Sequence, residues 1–119
     1  MTLGLQPAPA SSVQKLANDL YLTGRGQIEA GNARGAVESY LQSIQLEPGS
    51  AEVFLNLAYA YVKLDKDRDA IKAFKESVKL NPDNAEAHYG LGFSSFRAKK
   101  FKDAVDAFKK ATDINPKMA

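Results

Sequence analysis

The sequence predicts an all-α fold, an α-solenoid of three helix-turn-helix units, and three observations carry that prediction. Prolines recur at Pro48, Pro82 and Pro116, each 34 residues from the last. Laying segments 17–50, 51–84 and 85–118 over one another keeps further columns in phase: Ala36, Ala70 and Ala104; Tyr40, Phe74 and Phe108; Gly24, Ala58 and Gly92. Within each segment the apolar residues fall at helical spacing in two stretches broken by a short polar turn, as paired helices require.

In chain order, residues 7–12, Pro-Ala-Pro-Ala-Ser-Ser, have the composition of a stiffened linker, so residues 1–11 are predicted to be disordered. Ser11 and Gln14 stand at capping-box spacing, placing the start of a long first helix near Ser12 and its end at Ala30, before Gly31-Asn32. The other helices are expected over 34–46, 51–64, 67–80, 85–98 and 101–114. Each proline stops a second helix, and Ser50 and either Asp83 or Asn84 are placed to cap the helix that follows. Asp83 and Glu86 repeat the capping-box spacing. The units thus run 12–50, 51–84 and 85–119, the last with a short tail.

The recurrence of small residues predicts close helix contacts, with Gly24, Ala58 and Gly92 approaching Ala36, Ala70 and Ala104 and the rings of Tyr40, Phe74 and Phe108 filling the wider end. Larger side chains at the small positions force the helices apart. The ends of the stack differ from its middle. Asp19, Thr23 and Gln27 stand where the second unit has Val53, Leu57 and Tyr61, so the first helix reads as an N-terminal cap. At the other end Val105, Phe108 and Ile114 stay apolar with no following helix, although repeat proteins need a polar terminal face for solubility.

The pattern resembles the tetratricopeptide repeat, which reads W-x2-L-G-x2-Y, A-x3-F and P. The middle unit matches it as Phe54, Leu57, Ala58, Tyr61, Ala70, Phe74 and Pro82. The third offers His88, Leu91, Gly92, Ser95, Ala104, Phe108 and Pro116, and the first Leu20, Thr23, Gly24, Gln27, Ala36, Tyr40 and Pro48. The resemblance implies a right-handed superhelical α-solenoid whose first helices line a concave, ligand-binding surface.

Composition narrows the function classes. A chain of 119 residues is one domain, and a single helical hairpin buries too little apolar surface to fold alone, so the units must stack. Net charge is +2, too small to attract nucleic acid or membrane by itself. It is unevenly placed, −2 over residues 1–60 and +4 over residues 61–119. There is no cysteine, hence no disulfide and no thiolate metal site. No signal-like start or membrane-length apolar run is visible, and a soluble, by default cytoplasmic, protein is expected.

Candidate chemistry is sparse. Asp65, Asp67, Asp69 and Glu76 match calcium-loop positions, but Ala70 stands where a sharp turn needs glycine and the repeat register makes 70–80 helical. Gly24-Arg25-Gly26 and Gly90-Leu91-Gly92 lack the third glycine and the preceding strand of a phosphate loop. His88, the single histidine, occupies the core column of Leu20 and Phe54. No nucleophile has a base beside it, so no enzyme, cofactor or metal is expected. The basic residues of the third unit, Arg97 to Lys117, are interrupted by Asp103, Asp106 and Asp113, and read as a solvated face rather than a nucleic-acid strip.

The concave surface that the resemblance implies carries Tyr21, Leu55 and Tyr89 in one column, Arg25, Tyr59 and Phe93 one turn on, and Leu22, Asn56 and Gly90 beside them. Lys63, Arg97, Glu52 and Glu86 supply charge at its margins. In this reading a peptide or amphipathic helix of a protein partner inserts apolar side chains among Tyr21, Leu55, Tyr59, Tyr89 and Phe93, with Arg25 or Arg97 orienting an acid. Some family members bind acidic chaperone tails through a clamp of two lysines, an arginine and two asparagines. Only Asn56 matches that clamp; Tyr21, Arg25, Glu86 and Gly90 fill the other places, which disfavours such tails. The alternative is self-association, a homo-oligomer formed through the terminal helix or the N-terminal segment, or Leu3 and Leu5 of that segment lying in the groove.

Overall fold

The computed structural model describes residues 8–118, and side chains from residue 12. Six α-helices stand among them: α1 (Ala8–Glu29), α2 (Ala33–Leu46), α3 (Ala51–Lys63), α4 (Asp67–Leu80), α5 (Ala85–Arg97) and α6 (Phe101–Ile114). A 3-10 turn, Pro116–Met118, closes the described chain. Consecutive helices pack pairwise along an elongated body of 62 × 30 × 21 Å, and α1, α3 and α5 touch in sequence order.

The start of α1 differs from expectation. The helix begins at Ala8 rather than near Ser12, so Ser11 lies inside it. Pro9 does not prevent this, because a nitrogen in the first helical turn has no intrahelical acceptor to lose. The predicted disorder of residues 1–7, and the groove-filling role of Leu3 and Leu5, lie outside the described residues.

Each turn inside a unit is built the same way. Gly31, Asp65 and Lys99, spaced by the repeat, all take positive φ, of 82°, 58° and 65°. The following amide in each case reaches back across the helix end: Asn32 to Gln27 at 2.7 Å, Lys66 to Tyr61 at 2.9 Å and Lys100 to Ser95 at 2.8 Å. These are Schellman closures, which satisfy carbonyls that the helix end leaves unpaired. Only the first carries glycine.

Side-chain caps are placed less uniformly. Asn32 accepts from the Gly35 amide, Ser50 from Val53, and Asn84 from Glu86 and Ala87. Asn84, not Asp83, therefore caps α5. Lys66 and Lys100 offer α4 and α6 no side-chain cap.

The core runs along the stack from Tyr21 and Ala36 to Phe74 and Ala87. What the glycines accommodate is not the alanine column expected. A Cβ on Gly24 would lie 2.5 Å from the Tyr40 ring, and one on Gly92 2.6 Å from Phe108. The aromatic column, being larger, takes the space that the small residues leave. Ser43 and Ser77 tie each second helix to its first, donating to the carbonyls of Ala17 at 2.7 Å and Ala51 at 2.9 Å. At the third such position stands Ala111. His88 is buried with Nε2 2.9 Å from the Pro82 carbonyl; the oxygen only accepts, so that nitrogen carries the proton.

Candidate functional site

Between α3 and α5 lies a hollow of about 450 Å³ lined by Tyr59, Val62, Phe74, Glu86, Tyr89, Gly90 and Phe93. Tyr59 and Val62 come from α3, and Glu86, Tyr89, Gly90 and Phe93 from successive turns of α5. Phe74 reaches it from α4 because Gly90 has no side chain; a Cβ there would collide with its ring. Tyr59 meets Phe74 edge-on at 5.5 Å, and Tyr89 tilts over Phe108 at 5.4 Å. Such offset contacts fix ring orientation beyond simple burial.

Two rings stand open to solvent on this wall, Tyr89 at 47% and Phe93 at 40% exposed. Polar groups rim them. The half-buried Tyr59 hydroxyl donates to a Glu86 carboxylate oxygen at 2.5 Å. Burial first, then the hydrogen bond and charge of Glu86, push the Tyr59 phenol well above its usual range. Arg97 lies over the Phe93 ring at 5.7 Å while its guanidinium donates to Asp65 at 2.7 Å. Its Nε also sits 3.3 Å from Asp67, an ion pair without hydrogen-bond alignment. The Asp65 hydrogen bond, followed by the Asp67 charge, raises the Arg97 pKa further.

The ten residues predicted to line a groove are therefore divided. Tyr59, Tyr89 and Phe93 meet at the hollow, with Arg97 at its edge. Tyr21 and Leu55, 9% and 8% exposed, belong to the core instead. Asn56 donates to the Tyr21 hydroxyl at 3.3 Å, and Arg25 covers the Tyr21 ring at 5.8 Å, so both serve that buried tyrosine. Burial and the neighbouring Glu52 raise the Tyr21 pKa. Leu22 is exposed on α1, and Lys63 lines a separate cleft with Ile28, Arg34 and Leu64. Of the four aromatics expected there two are open, because Tyr21 is covered by Arg25 and Asn56 as well as packed on Tyr40, and Tyr59 is half-buried against Phe74.

Phe74 and Val62 were missed. The repeat pattern puts the Phe74 column in the core of its own unit, yet Gly90, in the groove column beside bulkier Leu22 and Asn56, is a visible sign that something large approaches there. Among the described residues no helix is long and apolar enough to cross a membrane.

Comparison with known proteins agrees with this architecture. The structure is similar to that of MamA, with 28% identity and a TM-score of 0.82 over 84% of this chain, which spans 58% of that protein's chain. It is also similar to the second TPR of Spaghetti (RPAP3) bound to the HSP90 peptide SRMEEVD, at 22% identity and TM-score 0.84, covering 90% of this chain and 99% of that one. The Arabidopsis OM64 TPR domain superposes with TM-score 0.84 at 19% identity, over 88% and 87% of the two chains. No curated protein sequence matches. The tetratricopeptide repeat profile matches residues 55–119, more than half the sequence. The chain thus belongs to the tetratricopeptide repeat family.

Proposed function

We propose that the protein is a non-catalytic scaffold that holds a peptide or helix of a protein partner against the inner faces of α3 and α5. One observation carries this reading: an aromatic-walled hollow between α3 and α5 on whose wall the Tyr89 and Phe93 rings stand exposed. An open apolar concavity rimmed by a few oriented polar groups is what a docking side chain needs. The second TPR of Spaghetti (RPAP3), similar in fold, is bound to an HSP90 peptide, which supports a peptide as the class of ligand.

A pull-down comparing wild type with a Tyr59→Ala, Phe93→Ala double variant tests the reading. Loss of a partner with helicity retained in circular dichroism supports it; an unchanged partner set contradicts it.

A specific observation also favours self-association. Val105 is 55% exposed, whereas Ile71, one repeat earlier in the same column, is 5% exposed. The last unit thus presents a face that the earlier units cover. With residues 1–60 at −2 and 61–119 at +4, a head-to-tail contact brings opposite charges together. Sedimentation of wild type and Val105→Glu at high concentration tests this: association lost in the variant supports it, and a monomeric wild type removes it.

A further inference from the structure

Among the described residues, Glu86 is the one charged side chain lining the α3–α5 hollow. It is held there from two directions. Its backbone amide donates to the Asn84 cap at 3.0 Å, and one carboxylate oxygen accepts from Tyr59. The side chain is exposed, and the positive end of α5 favours a carboxylate at this position. The Arg97 guanidinium over Phe93 does not offset it, being shared between Asp65 and Asp67. Lys63 lines another cleft, and Arg25 lies over Tyr21. Although the whole chain carries +2, the charge facing the hollow is therefore negative.

From this we infer that the ligand is a basic apolar segment, whose aliphatic or aromatic side chain enters between Tyr59, Tyr89 and Phe93 and whose adjacent lysine or arginine pairs with Glu86. The inference rests on the docking reading above and gives it a chemistry. The open Tyr89 face offers a second favourable surface to a cation, as Phe93 already does to Arg97. Acidic segments meet the reverse: a ligand carboxylate beside Glu86 faces like charge with Arg97 already engaged. This replaces the sequence expectation that an arginine orients an acid.

The test is selection from a display library of short random peptides on the wild-type chain, followed by fluorescence anisotropy of the enriched peptides and of the acidic peptide SRMEEVD. Lysine or arginine next to an apolar residue is expected among the enriched sequences. Their affinity should fall about three- to five-fold in Glu86→Gln, as for a partly solvated ion pair, and the loss should shrink in high salt. Selection on Glu86→Lys should enrich acidic residues. Enrichment of acidic peptides by wild type, tighter binding of SRMEEVD, or no enrichment at all overturns the inference. Enriched peptides indifferent to Glu86→Gln but lost in Phe93→Ala overturn the charge preference and leave the docking site standing. Peptides indifferent to Phe93→Ala overturn the docking site itself. Glu86 is exposed and Glu86→Gln keeps its size, so misfolding does not obscure the readout.

Discussion

The Tyr59 hydroxyl and a Glu86 carboxylate oxygen lie 2.5 Å apart, joining α3 to α5 across the mouth of the hollow. The bond needs a protonated phenol. Because the folded pKa of Tyr59 is raised above its ordinary value of 10.0, its contribution to stability is complete below about pH 10 and is lost as pH rises further. Urea unfolding at a series of alkaline pH values should show stability falling above that point in wild type, and falling less in Tyr59→Phe. At neutral pH Tyr59→Phe should cost about 0.5–1.5 kcal/mol, the usual worth of one such bond.

Ser43 and Ser77 bond to carbonyls at equivalent places in successive units, and Ala111 breaks the series. Either serine changed to alanine should cost about 1 kcal/mol in denaturant unfolding, since one hydrogen bond between paired helices is lost. Ala111→Ser, placed to reach the Ala85 carbonyl, should give a smaller gain. A loss there shows that the third unit lacks room for the hydroxyl.

The left-handed turn position predicts an asymmetry between units. Lys99 holds φ at 65° with a side chain that disfavours it. Lys99→Gly should raise stability by about 0.5–1 kcal/mol, whereas Gly31→Ala should lower it by a similar amount. Thermal melts of both variants check the pair.

Glycines within helices separate by what surrounds them. Gly26 has nothing within 4 Å of a built Cβ, so Gly26→Ala should stabilise by about 0.5–1 kcal/mol through helix propensity. At Gly90 the fully buried Phe74 ring stands in the way, and Gly90→Ala should cost about 1–3 kcal/mol through overpacking. It should also narrow the hollow and weaken ligand binding.

Much of the fold was legible because a repeat writes its register three times. Proline, alanine and aromatic columns in phase located the helix pairs, and Ser50 announced the cap of α3. Column membership could not reveal partners: it paired Gly24 with Ala36, whereas the space is taken by Tyr40. Nor could it tell which rings stay exposed. Tyr21 and Tyr89 share a column, yet Tyr21 is stacked on Tyr40, capped by Arg25 and bonded by Asn56, and Tyr89 ends the array. The turn residues Asp65 and Lys99 gave no sign of positive φ, since neither residue type demands it. Salt partners were equally hidden, because Arg97 meets Asp65 and Asp67 from the preceding unit, some 30 residues away.

Heteronuclear NMR, titrating an enriched basic peptide into the isotope-labelled chain, tests the docking claim most directly. The account predicts shift changes concentrated at Tyr59, Val62, Glu86, Tyr89 and Phe93. Changes confined to α2, α4 and α6, with those five residues unmoved, contradict it.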